Sequence, residues 1–314
     1  MRLYWPVPCG TGLILCTHGA MNKPAFVTHK LSAHNRELRL ELWPNHGAGV
    51  MLFYPGTMLS PLQYRPMITA LRQAGFAVAA VHFTGHGLNR HGADFSFDDL
   101  RQNCLDAEAW LRDAGHAHIA VCGHSQGGIL ALAHAAASPG LAAAFPITGV
   151  LPQMREAIYL TRFAGLADRR TDIERIFCRL ARWLPWLPMP LQAYLDSWRI
   201  ISGARRTVSN RRKTRLTYPL SFLASLFNTR LPEGLRCPLY FFSAQNDALF
   251  TPAIIQATFD CLKAPSKKLI WLPGGGHLAA MNPPLCHFMA RTAAAACAGL
   301  GLPLHLEQTR ADKL

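Results

Sequence analysis

Five residues constrain this chain more than any other feature: Gly123-His124-Ser125-Gln126-Gly127. This G-x-S-x-G run follows the apolar stretch His118 to Cys122 and precedes the small, Ala-rich stretch Gly127 to Ala137. The pattern predicts a buried strand before the serine and a helix after it. A serine on so tight a strand-to-helix turn sits in strained backbone geometry, so glycines must flank it for strand and helix to approach. The strain holds the hydroxyl outward. The following helix points its N-terminus at the same spot, where developing negative charge is favoured.

Around this run, apolar segments alternate with amphipathic ones. Val50 to Tyr54, Phe76 to Phe83, His118 to Cys122, Ala142 to Ile147, Pro238 to Ser243 and Lys268 to Trp271 read as strands. Leu62 to Gln73, Phe97 to Asp113, Gly127 to Ala137, Pro252 to Leu262 and Leu278 to Ala296 read as helices. Such spacing implies βαβ units joined by right-handed crossovers. Upstream, Ala25 to Leu31 and Glu37 to Trp43 alternate around Ser32-Ala33-His34-Asn35 and predict a hairpin of edge strands. The fold class is therefore α/β, a mostly parallel central sheet flanked by helices.

The rhythm breaks near Pro152 and resumes after Arg236. The intervening stretch is rich in Arg, Trp and Leu, with helical pieces at Asp172 to Trp183 and Arg205 to Arg215 around a Trp-Pro run, Trp183 to Pro190. It reads as an inserted helical cap. The expected organisation is an N-terminal extension over 1–20, a core over 21–151 and 237–300, a cap over 152–236, and a tail over 301–314.

Composition narrows the function classes. Half of the 314 residues are apolar and 16% are charged, which excludes a disordered chain. Pro, Gly, Arg or His interrupts every apolar run before it reaches about 18 residues, so no membrane-spanning helix is expected. Residues 1–20 imitate a signal peptide, yet Pro6, Pro8, Gly10 and Gly12 break the apolar stretch. The nine cysteines are odd in number, scattered and set in apolar contexts, without a CxxC or Cys/His ligand spacing. Neither a metal nor a disulfide framework is expected, and a cytoplasmic location follows as the default.

The net charge of +14 is local: between 151 and 236, sixteen Arg and Lys face six Asp and Glu, a net of +10. Arg205-Arg206 and Arg211-Arg212-Lys213 lack aromatic interleaving and a nucleic-acid motif, so no nucleic-acid partner is expected. The arginines fit a solvated face, anionic lipid headgroups at a peripheral membrane contact, or an anionic leaving group such as a CoA phosphate. Phe177, Trp183, Leu184, Trp186, Leu187 and Trp198 could line an apolar acyl tunnel.

A serine hydroxyl needs a base, and an imidazole can remove its proton and return it to a leaving group. Of fourteen histidines, only His277 sits in a loop after the last expected strand, behind the turn Gly274-Gly275-Gly276. The imidazole needs a carboxylate to fix its tautomer. Asp247, just past the strand ending at Ser243, is better placed than Asp260 or Glu233. The chain order is then Ser125, Asp247, His277. Oxyanion donors are expected from the Thr57 amide, in the turn Pro55-Gly56-Thr57-Met58, and the Gln126 amide.

Tyr54-Pro-Gly-Thr-Met-Leu-Ser-Pro61, Gly85-His-Gly87, Gly123-His-Ser-Gln-Gly-Gly128, Asn246-Asp-Ala-Leu-Phe-Thr-Pro252 and Gly276-His277 together resemble the α/β-hydrolase family, most of all its monoacylglycerol-lipase and serine-aminopeptidase branch. The likeness spans about 25 to 298 except the cap. Members usually carry His-Gly where this chain has Pro55-Gly56. The resemblance implies hydrolysis of a small acyl ester, lipid-like or anionic, without metal or organic cofactor. An acyltransferase or acyl-CoA thioesterase would use the same residues, and a non-catalytic binding protein would keep the fold alone.

Overall fold

The computed structural model describes residues 26–33, 36–89, 94–195 and 214–306. Strands β1 (Val27–Ala33), β2 (Arg36–Trp43), β3 (Val50–Tyr54), β4 (Ala77–His82), β5 (Ile119–His124) and β6 (Leu141–Ile147) join the later pair β9 (Leu239–Ala244) and β10 (Lys267–Leu272) in one eight-stranded sheet. The order is β1-β2-β4-β3-β5-β6-β9-β10. Every neighbouring pair is parallel except β1 with β2 and β2 with β4.

The central strands are continuous buried runs. Val50 to Tyr54, Ala77 to His82 and Ile119 to His124 are buried at every position, as expected when helices cover both faces of a parallel sheet. Helices α1 (Arg65–Gln73), α2 (Phe97–Asp113) and α3 (Gln126–Ala137) lie within these crossovers. From β3 the chain steps through α1 to β4 on one side, and from β5 through α3 to β6 on the other. Right-handed crossovers in opposite directions put α1 and α3 on opposite faces. The sheet thus has a switch point between β3 and β5, and a crevice opens there beyond the carboxyl ends of the strands.

Between β6 and β9 run α4 (Arg170–Trp183), the short antiparallel pair β7 (Pro188–Pro190) and β8 (Thr217–Pro219), the single turn α5 (Leu191–Tyr194), and α6 (Leu220–Asn228). After β9 come α7 (Pro252–Cys261) and α8 (Pro283–Gly299).

Three expectations need adjustment. Of the two hairpin strands only β1 lies at a sheet edge, since β2 also pairs with β4. The last helix is two elements: a 3-10 turn over Gly276–Met281, then α8, whose Asn282 side chain caps the Leu285 amide. Pro283 and Pro284 sit where a first turn tolerates a missing donor, so they start a helix and do not continue one. The first amphipathic segment likewise splits, at Tyr64, into a 3-10 turn (Pro61–Gln63) and α1. The extension over 1–20, His34 and Asn35 of the hairpin turn, Trp198, the basic cluster 205–213 and the tail beyond 306 lie outside the described residues.

Candidate active site

Ser125 stands between β5 and α3 with φ +58° and ψ −117°, in the positive-φ region that a non-glycine residue seldom adopts. The neighbouring glycines permit it. A Cβ on Gly127 would lie 2.1 Å from the Tyr54 carbonyl oxygen, and one on Gly128 would lie 1.8 Å from that of Thr148. Both obstacles are backbone, so no side-chain movement relieves them. The Ser125 amide donates to the Ile147 carbonyl (3.0 Å), fastening the turn to β6.

Asp247 follows β9 and His277 follows β10. The carboxyl Oδ1 of Asp247 accepts from the Leu249 (2.8 Å) and Phe250 (2.9 Å) amides, and Oδ2 lies 2.9 Å from His277 Nδ1. Burial pushes the Asp247 carboxyl up, but the bond to His277, its charge and the two amides outweigh this and hold it below the usual range. An ionised Asp247 accepts from Nδ1–H, which leaves Nε2 of His277 with the free lone pair. The ring of His277 stacks on Phe250, with centroids 5.4 Å apart and planes at 4°. Gly274, Gly275 and Gly276 all have positive φ, and the Gly276 amide is held by Asn246 Oδ1 at 2.8 Å.

A buried relay connects this histidine to the turn after β3. The Gly56 amide donates to Tyr64 Oη (3.0 Å), Tyr64 Oη lies 2.7 Å from His124 Nδ1, and His124 Nε2 lies 2.7 Å from the His277 carbonyl oxygen. A carbonyl can only accept, so His124 carries its proton on Nε2, and its Nδ1 accepts a hydrogen bond donated by the Tyr64 hydroxyl. Burial, then the nearby His277, pushes His124 down to about 3, so this tautomer stays neutral.

The turn itself is held from a second side. Its closing bond runs from the Leu59 amide to the Gly56 carbonyl (3.2 Å), with Met58 at φ +63°. The Met58 amide donates to Tyr218 Oη (2.6 Å), which lies 2.8 Å from His86 Nε2. Among the described residues, the amides of Thr57 and Gln126 have no hydrogen-bond partner, and the Thr57 hydroxyl donates to Gln126 Oε1 at 3.0 Å. The Gln126 amide belongs to the first turn of α3, where helix amides lack intrahelical acceptors.

Thr57, Ser125 and Gln126 share one pocket with Ile129, Leu226, Phe227 and Phe250. Its lining is largely apolar. Arg170 reaches the wall, but its guanidinium is already bonded to Glu174 Oε1 (2.8 Å) and to the carbonyls of Pro152 and Met154. Two of the tryptophans expected in an acyl tunnel are not at the pocket: Trp183 is 84% and Trp186 is 54% exposed, and neither lines it. Phe177 is buried, but it acts indirectly by stacking on Phe227 with centroids 5.2 Å apart. No group of described residues could hold a metal ion.

Sequence reasoning gave no role to Tyr64, Phe250, Asn246 or Tyr218, although Asn246 and Phe250 lie within a motif it singled out. Tyr218 lies 160 positions from the Met58 it holds, a separation at which local pattern carries no signal.

Solved structures with this fold include alpha/beta hydrolase domain-containing protein 10 from mouse, with TM-score 0.64 and 16% identity, covering 87% of this chain and 99% of that one. The monoacylglycerol lipase of Paleococcus ferrophilus gives a TM-score of 0.63 at 17% identity, covering 84% of this chain and 99% of that one. A soluble variant of monoglyceride lipase from Saccharomyces cerevisiae gives 0.64 at 13% identity, with 89% and 98% covered. No curated protein sequence matches the chain. The model of the "Alpha/beta hydrolase family" matches residues 46–286, so with its strand order and crossovers the chain belongs to the α/β-hydrolase family.

Proposed function

We propose that this protein is a serine hydrolase of carboxylic esters with an apolar acyl group. The observation that carries the reading is a strained, pocket-lining Ser125 together with a His277–Asp247 couple, joined to each other at 2.9 Å, whose imidazole stacks on the pocket residue Phe250. His277 lies beside His124, with ring centroids 5.0 Å apart, and stacks on Phe250, which lines the pocket together with Ser125.

In this reading His277 Nε2 takes the Ser125 hydroxyl proton as Oγ attacks the ester carbonyl carbon. The carbonyl oxygen becomes an oxyanion, and the Thr57 and Gln126 amides receive it. Collapse expels the alcohol, which takes the proton back from His277 and leaves an acyl-Ser125. Water, deprotonated by His277, then repeats the sequence and releases the acid. Asp247 stays ionised and stabilises the imidazolium. The segment 152–236 acts as a lid: Leu226 and Phe227 come from it and meet the core residues Ile129 and Phe250 at the pocket.

An anionic leaving group is disfavoured, because Arg170, the cation among the described residues of the pocket wall, is committed to protein acceptors. The test is labelling of the purified protein with a fluorophosphonate, followed by assay of p-nitrophenyl esters of graded chain length. Label on Ser125 with turnover of neutral esters supports the reading. An unlabelled protein that turns over no ester would overturn it.

A further inference from the structure

Helix α4 and the turn after it carry apolar side chains that neither the core nor the pocket uses. The inner face of α4 buries Ile173 and Phe177. At about 100° per residue, Ile176, Leu180 and Trp183 fall in one stripe along its outer edge, spaced i, i+4, i+7. They are 54%, 48% and 84% exposed, and Leu184 and Trp186 extend the stripe beyond the helix. Arg175, Arg179 and Arg182, all exposed and spaced in the same way, form a parallel stripe on the solvent side. Asp172 pairs with Arg175 at 3.5 Å, whereas Arg179 and Arg182 have no acidic partner among the described residues.

The tryptophans are displayed by a fixed scaffold. The Leu184 amide donates to Leu180 (2.9 Å) and the Leu187 amide to Leu184 (3.1 Å). From α6, the Ser221 amide donates to the Pro185 carbonyl and the Leu220 amide to that of Leu187, both at 2.9 Å. Large apolar side chains held in water by the backbone mark a surface that something else covers. Trp and Leu bordered by Arg is the composition of a helix lying in a bilayer interface, with indole at headgroup depth and guanidinium on phosphate. A second copy of this face would bring arginine stripes together, with Asp172 as the acid at hand.

We infer that α4 and the Trp183–Trp186 turn dock the protein on the surface of an anionic lipid bilayer. The apolar stripe enters the acyl–headgroup boundary, and Arg175, Arg179 and Arg182 meet lipid phosphates. Phe177, on the inner face of this helix, stacks on the pocket residue Phe227, so docking holds the pocket wall against the lipid surface.

The experiment is flotation of the full chain with vesicles of pure phosphatidylcholine and with vesicles containing about 30% phosphatidylglycerol, at low and high salt. Binding to the anionic vesicles should be at least roughly tenfold tighter and should weaken as salt rises. Arg179→Gln and Arg182→Gln should each weaken it about fivefold. A Trp183→Ser/Trp186→Ser double variant should lose at least roughly tenfold on both vesicle types while its Tm and far-ultraviolet circular dichroism stay unchanged. Equal flotation of wild type and the double variant would overturn the inference. So would concentration-dependent self-association of the wild type that the double variant abolishes, which would assign the patch to a second copy.

Discussion

The Ser125 hydroxyl has little to do with packing, because its strained backbone is fixed by the glycines around it and by the bond to Ile147. Ser125→Ala should therefore leave Tm within about 2 °C of wild type while removing the fluorophosphonate label and lowering kcat by on the order of 10⁴-fold. Tyr64 is a different kind of residue. Its hydroxyl links the Gly56 amide to His124, and through them the Thr57 turn to the backbone of His277. Tyr64→Phe strands a buried donor and a buried acceptor, which costs about 1–3 kcal/mol of stability in urea titration. It should also lower kcat by roughly tenfold with KM for a short ester nearly unchanged, since positioning acts on the transition state. A fall in stability with kcat intact would reduce Tyr64 to a structural role.

At the scale of elements, a second buried network ties α2 and α3 to β3. Glu108 Oε2 lies 2.7 Å from His134 Nε2, Oε1 accepts from Arg112 Nη2 (2.6 Å) and Ser138 (2.9 Å), and His134 Nδ1 lies 2.7 Å from Tyr54 Oη. Burial pushes the Glu108 carboxyl up, but these hydrogen bonds overcome it and pull the group down to about 2. A carboxylate depressed in the folded state contributes stability that is fully present above its unfolded value, near 4.5, and is lost as pH falls toward about 2. The contribution is on the order of 3 kcal/mol at neutral pH. Glu108→Gln should thus lower stability at pH 7 and flatten the fall in urea midpoint between about pH 4 and 3. The α3 contact is tighter still. Gly128→Ala forces a methyl into the Thr148 carbonyl, with a cost of about 3 kcal/mol or more and loss of Ser125 labelling.

At the scale of the molecule, the pocket lies where the β6–β9 segment meets the switch point of the sheet, so its size is set by both. If the acyl group occupies it, kcat/KM should climb by up to about fourfold per added methylene until the pocket is full. Phe227→Trp, which narrows the wall that Leu226 and Phe250 share, should move the optimum to shorter chains and leave short esters nearly unaffected. An unchanged chain-length profile in Phe227→Trp would place the acyl chain elsewhere. No described helix is long and apolar enough to span a bilayer.

The strands, the mostly parallel character of their sheet, the Ser125 turn and the His277 and Asp247 loops were legible in the sequence because each depends on neighbours in the chain. An apolar run, a glycine flanking a tight turn, or a residue just past a strand end carries its signal within a few positions. What holds these loops against one another was not legible. The Tyr64–His124 relay, the Tyr218 clasp on Met58 and the Asn246 hold on Gly276 join residues 30 to 160 positions apart, and hydrogen bonds at such distance leave no periodicity to read. The tryptophans show the same limit. Composition could say that the basic segment is apolar enough to bind lipid, but which face of α4 turns inward depends on packing against α6. Phe177 won that contact with Phe227, and Trp183 was left in water.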